Sequence, residues 1–407
     1  MNIAIATTEF VSEKNFDGGL ANYTYKLAKL LLAKKHSVTV YLTSNVNESF
    51  QYDGIDLVKI NIPNMEWKLN YQLKRVRLDF LISLKMRYKL QALQESYYLN
   101  KELKKANKLK KIDIIHYPNV GSLAFFRLKK IPTIVRLSGS TIRSHQLGGY
   151  GQNNLEAQVI GQLEYKAMIK ADAVFGPSVM IAKETEHIIK KKITIIETPF
   201  LQPINQLDYT IYDNILSDKK YILFFGSIGL IKGIGTIANM IYQLLNAHKA
   251  MYFVFVGKIL NNDIEGKNVW DYLLEKAAEH KNRIIHFNPL KHELLFPIIK
   301  HAELVALPSR IDNFPNACIE AMSLGKIVIG TQENGFEQLI EHQNSGYLIP
   351  VDDDVALLQA INSVLALSVD AKNKIAQSAM DRINELSPEH IVPQLERFYE
   401  SVIQKHN

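Results

Sequence analysis

Two carboxylates stand eight residues apart in the stretch "DNFPNACIEAMSLGK": Asp312 and Glu320. Glu320 is flanked almost wholly by apolar residues, among them Ala317, Cys318, Ile319, Ala321, Met322 and Leu324. An ionised carboxylate left unpaired in an apolar setting costs several kcal/mol or is driven to neutrality. The local signals predict a helix. Pro315 suits its first position, where the missing N–H is no loss, and Gly325 suits the left-handed residue just past its end. Glu320 then lies mid-helix, with Asp312 in the loop that leads in. Two readings fit. Either Glu320 is the exposed position of a mostly buried helix and Asp312 a turn residue, or the helix start faces an anion or a hydroxyl group that the two acids bracket.

Two glycine-bearing loops add anion chemistry. In "FDGGLAN", Gly18 and Gly19 lie between the first strand and the first helix. Glycine there lets backbone N–H groups approach a phosphate, although a plain turn fits as well. Neither the G-x-G-x-x-G spacing nor G-K-[ST] is present. In "LFFGSIGLIKG", Gly226 ends a strand, Ser227 follows, and Lys232–Gly233 opens a helix. A lysine there reaches a phosphate at the carboxyl end of the strand, whereas a mere surface lysine would oppose the helix dipole. His116 ends the strand "DIIHYP" and reads as a packed histidine or a site residue. The acidic run "VDDD" (351–354) precedes a helix and reads as N-capping rather than a metal cluster.

These residues need elements to position them. The chain has 407 residues, 47% hydrophobic and 22% charged, enough for two domains of about 150–200 residues each. Its one cysteine, Cys318, excludes a disulfide framework and a cysteine metal site, and fits a reducing cytoplasm. "NIAIATT" reads as a buried first strand rather than a signal peptide, and no run approaches 18 apolar residues. "SVTVYLT", "DIIHYP", "PTIVRL", "AVFGPS" and "ITIIETP" continue a first set of strands separated by helical patterns. "YILFFGS" opens a second set, followed by "YFVFVGK", "RIIHFN", "LVALPS" and "KIVIGT". Short, nearly continuous apolar strands alternating with helices predict parallel sheets covered on both faces. The expectation is two Rossmann-like α/β domains, 1–200 and 213–388, joined through the polar stretch 199–220. Ligands are expected in a cleft at the carboxyl ends of the strands.

The tract 65–111 departs from this pattern. It holds 13 basic and 4 acidic residues, a net +9 against +7 for the whole chain. Trp67, Phe80, Leu81 and Ile82 are interleaved with Lys74, Arg75, Arg77 and Lys85. Residues 84–111 read as a long amphipathic helix, with Met86, Leu90, Leu93 and Tyr97 in one stripe. That mixture suits an element lying on an anionic membrane surface; a solvated helix face is the alternative. Nucleic acid is not expected as a partner. "GGYG" (148–151) reads as a mobile loop.

In this order the pieces resemble the family-4 glycosyltransferases of the GT-B fold over nearly the whole chain. The resemblance is carried by Gly18–Gly19, "FFGSIGLIKG", "FVG" (255–257), "ALPSRIDNFPNACIEAMSLGKIVIGT" (306–331) and "NGFEQLIEHQNSGYLIPVDD" (334–353). The tract 306–353 is the most specific part. The resemblance implies a nucleotide-sugar donor held mainly by the second domain, an acceptor held by the first, and neither cofactor nor metal. It also implies that a final helix, 389–407 at its widest, returns to the first domain.

Carried onto this chain, the resemblance gives Glu320 the ribose hydroxyls and Asp312 the donor sugar. The stretch Asn313, Phe314, Pro315, Asn316 supplies backbone N–H groups, Lys232 neutralises the diphosphate, and Gly19 gives it a backbone contact. Asp312, Lys232 and Glu320 become the catalytic set. Three departures stand out. Asp312 replaces the usual Glu. Ser227 stands where the family has an Arg. Ser138 stands about where a first-domain strand often ends in His. Arg136 and Arg143 are the alternative cations, and with His116 and Ser138 they form a possible acceptor or sugar side.

The expected activity is retaining transfer from a nucleoside diphosphate sugar, UDP before GDP, to a hydroxyl of a lipid-linked or glycan acceptor. The expected setting is cell-surface polysaccharide or glycolipid synthesis at the inner face of the membrane. The alternatives are a catalytically weak GT-B-like binding or scaffold subunit and, against the missing G-x-G-x-x-G, a dinucleotide oxidoreductase.

Overall fold

The computed structural model describes residues 1–13, 19–63, 84–147, 154–201, 206–261 and 263–406. Gly18, the loop 148–151 and residues 65–83 of the basic tract lie outside them. The chain divides into two compact units. One comprises Met1–His145, Asn153–Pro199 and Pro388–Asn407, the other Gln146–Gln152 and Phe200–Ser387.

The first unit is built on β1 (Asn2–Thr7), α1 (Gly19–Ala33), β2 (Ser37–Ser44), β3 (Glu48–Tyr52), β4 (Ile55–Asn61) and α2 (Leu84–Leu109). It continues with β5 (Ile114–Pro118), β6 (Thr133–Arg136), α3 (Thr141–Leu147), α4 (Leu155–Lys170), β7 (Ala173–Gly176), α5 (Val179–Ile189) and β8 (Ile193–Ile195). The sheet order is β3-β4-β2-β1-β5-β6-β7-β8. All neighbours are parallel except β3 and β4. That hairpin was not foreseen. Its signal is Asp53–Gly54, both at positive φ (48° and 77°), the two-residue turn that matches strand twist. The chain runs outward from β1 through β2 and β4, then resumes at β5 on the other side of β1. The topological switch, where open α/β sheets bind ligands, therefore lies between β1 and β5.

The C-terminal helix Pro388–His406 belongs to this unit. Ile391, Val392, Leu395, Tyr399 and Val402 form its buried stripe at helical spacing. Its Tyr399 hydroxyl lies 2.7 Å from His116 Nδ1 on β5, and Phe398 packs on Phe175 of β7. Glu396 pairs with His36 at 2.7 Å.

The stripe that packs inward on α2 is not the one singled out in the sequence. Met86, Leu90 and Tyr97 are exposed, while Ala92, Ser96, Leu99, Asn100 and Leu103 are buried. The inner stripe looks unremarkable in sequence because two of its members are polar. Both are satisfied: Ser96 Oγ and Asn100 Nδ2 donate to Leu123 O at 2.7 and 2.9 Å, and Tyr117 donates to Asn100 Oδ1 at 2.6 Å.

The second unit is built on β9 (Lys220–Phe225), α6 (Ile234–Ala247), β10 (Met251–Val256), the short hairpin β11 (Asp263–Ile264) and β12 (Lys267–Asn268), and α7 (Val269–Ala277). Then follow β13 (Ile284–Phe287), α8 (His292–His301), β14 (Leu304–Ala306), α9 (Asn316–Ser323), β15 (Val328–Thr331), β16 (Tyr347–Ile349), α10 (Asp354–Ala366) and α11 (Val369–Asn384). The main sheet is wholly parallel, in the order β13-β10-β9-β14-β15-β16. Five consecutive residues of β9, Tyr221–Phe225, are buried, as a strand covered on both faces requires. The switch lies between β9 and β14.

Much of the stretch read as a connection, 199–220, packs on this second unit, which begins at Phe200 rather than 213. Phe200 N donates to Leu386 O at 2.8 Å, Asp208 N donates to Glu293 O at 3.0 Å, and Tyr212 stacks on His301. Low periodicity concealed it, because its contacts are made by single aromatic and backbone groups.

Candidate functional site

The switch of the second unit is shaped by close backbone approaches. After β9 the chain turns through Gly226, at φ 127°, and Ser227, both exposed. A 3-10 turn, Leu230–Lys232, then meets Gly233 at φ 75° before α6. A Cβ on Gly233 would lie 1.8 Å from Pro308 O, in the loop after β14. Arg310 N donates to Ile231 O at 2.7 Å, which ties the same two loops together. Glycine at 233 thus answers both a left-handed backbone and contact with a carbonyl. A Cβ on Gly335 would lie 2.2 Å from Asn313 O, and Gly335 N donates to Asp312 O at 2.9 Å. The loop that carries Asp312 is held from both sides.

These constraints bring Lys232 and Asp312 together, with Nζ 2.5 Å from Oδ2. Helix α9 follows. Pro315 is its N-cap rather than its first helical residue, with φ −71° and ψ 111°. A proline at this junction supplies no N–H, so Asn313, Phe314 and Asn316 are the N–H donors of the stretch. The end of α9 has Gly325 at φ 68°, with Gly325 N donating to Met322 O and Lys326 N to Ala321 O. That is the paired-bond cap which glycine favours. Cys318 on this helix is buried, and burial drives its thiol pKa well up.

Glu320 is partly buried mid-helix, and its carboxylate meets His292 Nε2, at the start of α8, at 3.2 Å. His292 was not singled out in the sequence; its only signal is a place just beyond the carboxyl end of a strand. Arg310 was also missed. It grips Asp352 through Nε and Nη2, both within 2.9 Å. Asp353 accepts from Ala356 N at 2.8 Å and caps α10. The acidic run is thereby used in pairing and capping.

The first unit has its own small concavity, open to solvent, at the carboxyl ends of β1, β5 and β6. Tyr23 and Thr24 of α1 border it, as do His116, Arg136 and Ser138. Gly19 begins α1 and is exposed. The loops after β5 and β6 are pinned to each other: Ser138 N donates to Asn119 Oδ1 at 2.7 Å and Asn119 Nδ2 to Gly139 O at 2.8 Å. His116 is buried. Desolvation, with the Arg136 cation nearby, pushes its pKa down to about 3, so it is neutral at physiological pH. Arg143 is ion-paired with Glu184 and does not border the concavity.

Both switch points thus carry polar groups at strand carboxyl ends, where open α/β sheets bind ligands. Residues 219–366 match the family described as glycosyl transferases group 1, and residues 17–200 match glycosyltransferase family 4. The chain belongs to these group 1, family-4-like glycosyltransferases of the GT-B fold. It is similar to 2-deoxystreptamine N-acetyl-D-glucosaminyltransferase of Niallia circulans, 23% identical over 46% of each chain. It is also similar to spore coat protein SA of Bacillus subtilis, 21% identical over 90% of this chain and 91% of that one. For the first of these the match spans about half the relative's length. Among solved structures it resembles sucrose-phosphate synthase from Thermosynechococcus elongatus, with a TM-score of 0.76, 16% identity and 99% of each chain covered. An E. coli trehalose-6-phosphate structure, described as bound with UDP-2-fluoro glucose, has a TM-score of 0.73, 12% identity and 99% coverage of each chain. Identities this low speak for the fold alone. Among the described residues no single helix is long and apolar enough to cross a membrane.

Proposed function

We propose that the protein transfers a sugar, with retention, from a nucleoside diphosphate sugar, UDP-linked before GDP-linked, to a hydroxyl acceptor. The observation that carries this reading is the Lys232–Asp312 pair at the second switch point, with Glu320 on the helix that follows, in a chain of this family. On donor binding Lys232 exchanges Asp312 for the diphosphate, and Asp312 turns to sugar hydroxyls. Ionic pairs of this partly exposed kind contribute only about 0–1 kcal/mol, so the exchange costs little. Glu320 accepts from the ribose hydroxyls in charge-assisted bonds.

The chemistry is electrostatic. Lys232 and the backbone N–H groups of Asn313, Phe314 and Asn316 stabilise charge that grows on the departing diphosphate. The departing oxygen takes the proton of the incoming hydroxyl on the same face of the sugar, so no protein nucleophile is needed. Lys232 is expected to do the work of the basic pair, in which Ser227 takes the Arg position, and the reaction is expected to need no metal or cofactor. Release of UDP from UDP-sugars by the purified protein tests this reading against a binding subunit that has lost turnover.

The acceptor side is read as a glycan or lipid-linked hydroxyl in polysaccharide or glycolipid synthesis, with the protein peripheral on an anionic membrane. The exposed ridge Met86, Leu90, Tyr97 and Phe126 supports the membrane contact, since Tyr97, on a helix rich in lysine, packs edge to face with Phe126 at 6.2 Å.

A further inference from the structure

Arg136 is only 7% exposed, yet it makes no ion pair with a described carboxylate. Its Nη1 donates to Ser138 Oγ and its Nη2 to Thr198 Oγ1, each at 2.9 Å. Its guanidinium carbon lies 3.6 Å from the centre of the Tyr23 ring. These neighbours are neutral, and so is His116 across the concavity. Guanidinium keeps its proton in proteins, so the group is a buried cation. Taking such a charge from water costs several kcal/mol unless an opposite charge meets it. The two hydroxyls use two of its five N–H donors, and the Tyr23 side chain also takes a hydrogen bond from it.

The position of this charge is as telling as its lack of an opposite charge. Arg136 ends β6, beside the switch between β1 and β5, and borders a concavity open to solvent. The first turns of α1, a 15-residue helix, border the same space, so its partial positive charge adds to that of Arg136. The hydroxyl of Thr198 is a neutral group that can also donate to an anion.

We propose that this concavity binds an oxyanion, a phosphate or carboxylate carried by the acceptor, with Arg136 as its counter-charge. Only the word acceptor rests on the transferase reading; the anion site stands on the first unit alone. The substrate class it implies is an acidic one, such as a sugar phosphate, a phospholipid-linked glycan or a uronic acid.

Thermal unfolding of the full chain in sodium phosphate, against sodium chloride at matched ionic strength, tests the proposal. Wild type, Lys232→Ala, Arg136→Met, Arg136→Lys and the double variant Lys232→Ala/Arg136→Met are compared. Lys232→Ala weakens phosphate binding at the second unit, so the shift that remains reports the first. The expected result is a rise in midpoint of about 2–4 °C in Lys232→Ala, absent from the double variant and reduced in Arg136→Lys. Saturating UDP should leave the Arg136-dependent rise in place. A phosphate rise that survives in the double variant would overturn the site, as would its absence from Lys232→Ala. Its loss on adding UDP would assign the anion to the donor and overturn the acceptor assignment. Should Arg136→Met not fold, Arg136→Lys and Thr198→Val carry the comparison. A structural role for Arg136 would lower their stability equally in both salts and leave the phosphate rise unchanged. Failure of sugar transfer with the phosphate result intact would count against the transferase reading, not the anion site.

Discussion

Lys232 and Asp312 are separated by 80 residues in the chain and by 2.5 Å in the structure. Each comes from the loop that follows a central strand, β9 or β14, and these strands pair in parallel through Leu304–Ile222 and Val305–Leu223. The strand pairing sets the distance between the loops, and Gly233 lets them touch. The ion pair is therefore a product of the sheet, and it puts a cation and an acid side by side at the strand carboxyl ends.

Lys232→Ala should lower turnover by on the order of 10²-fold or more, because removing one preorganised charge stabiliser costs about 3–4 kcal/mol in the transition state. Steady-state kinetics with a UDP-sugar, beside a circular dichroism check of folding, measures this. Unchanged turnover would remove Lys232 from the diphosphate.

Glu320→Gln and Asp312→Asn should part company in calorimetry with UDP. The first loses a charged acceptor for the ribose, and affinity should fall by about 1.5–3 kcal/mol. The second frees Lys232 from its competitor, so UDP should bind at least as tightly while sugar transfer drops. The opposite pattern would exchange the two roles.

Glu164 gives the first unit a pH signature. It is buried on α4, and desolvation raises its pKa from 4.5 to about 7 despite a 2.8 Å bond from the Thr141 hydroxyl. The folded state thus holds a proton that the unfolded chain gives up at lower pH. Its stabilising contribution is complete below about pH 4.5 and is lost as pH rises through about 7, a change of about 3 kcal/mol. Glu164→Gln keeps the neutral form at every pH. Wild-type stability minus that of the variant should therefore fall between pH 5 and 8. Denaturant titrations across that range test it, and a flat difference would mean that Glu164 ionises normally.

The exposed ridge of α2 should bind anionic vesicles and release them at high salt, since each lysine or arginine near such a surface contributes about 1 kcal/mol. Changing Met86, Leu90 and Tyr97 together to Ser should weaken co-sedimentation at low salt. Equal binding to neutral and anionic vesicles, or no effect of the triple change, would remove the membrane from the acceptor side.

The strands of both units were legible because a parallel sheet writes apolar runs into the chain, as in "YILFFGS". Asp312, Glu320 and Lys232 were legible one by one, since charges at helix and strand ends stand out against apolar neighbours. Their partners were not. His292 meets Glu320, and Thr198 meets Arg136, only after distant loops are folded together, and one sequence has no term for such contacts. On α2 the period was readable but the inward face was not. Ser96 and Asn100 look solvated until Leu123 O is placed beside them.

The most direct test is the time course of UDP release from a panel of UDP-sugars by the purified protein, with the anomeric form of the sugar product read by proton NMR. Slow UDP release is expected even with water as acceptor, unchanged by a chelator, strongly reduced in Lys232→Ala, and with the donor's anomeric configuration kept in the first-formed product. No release from any UDP- or GDP-sugar by a protein that still binds the nucleotide would contradict the account and leave a nucleotide-binding subunit without turnover.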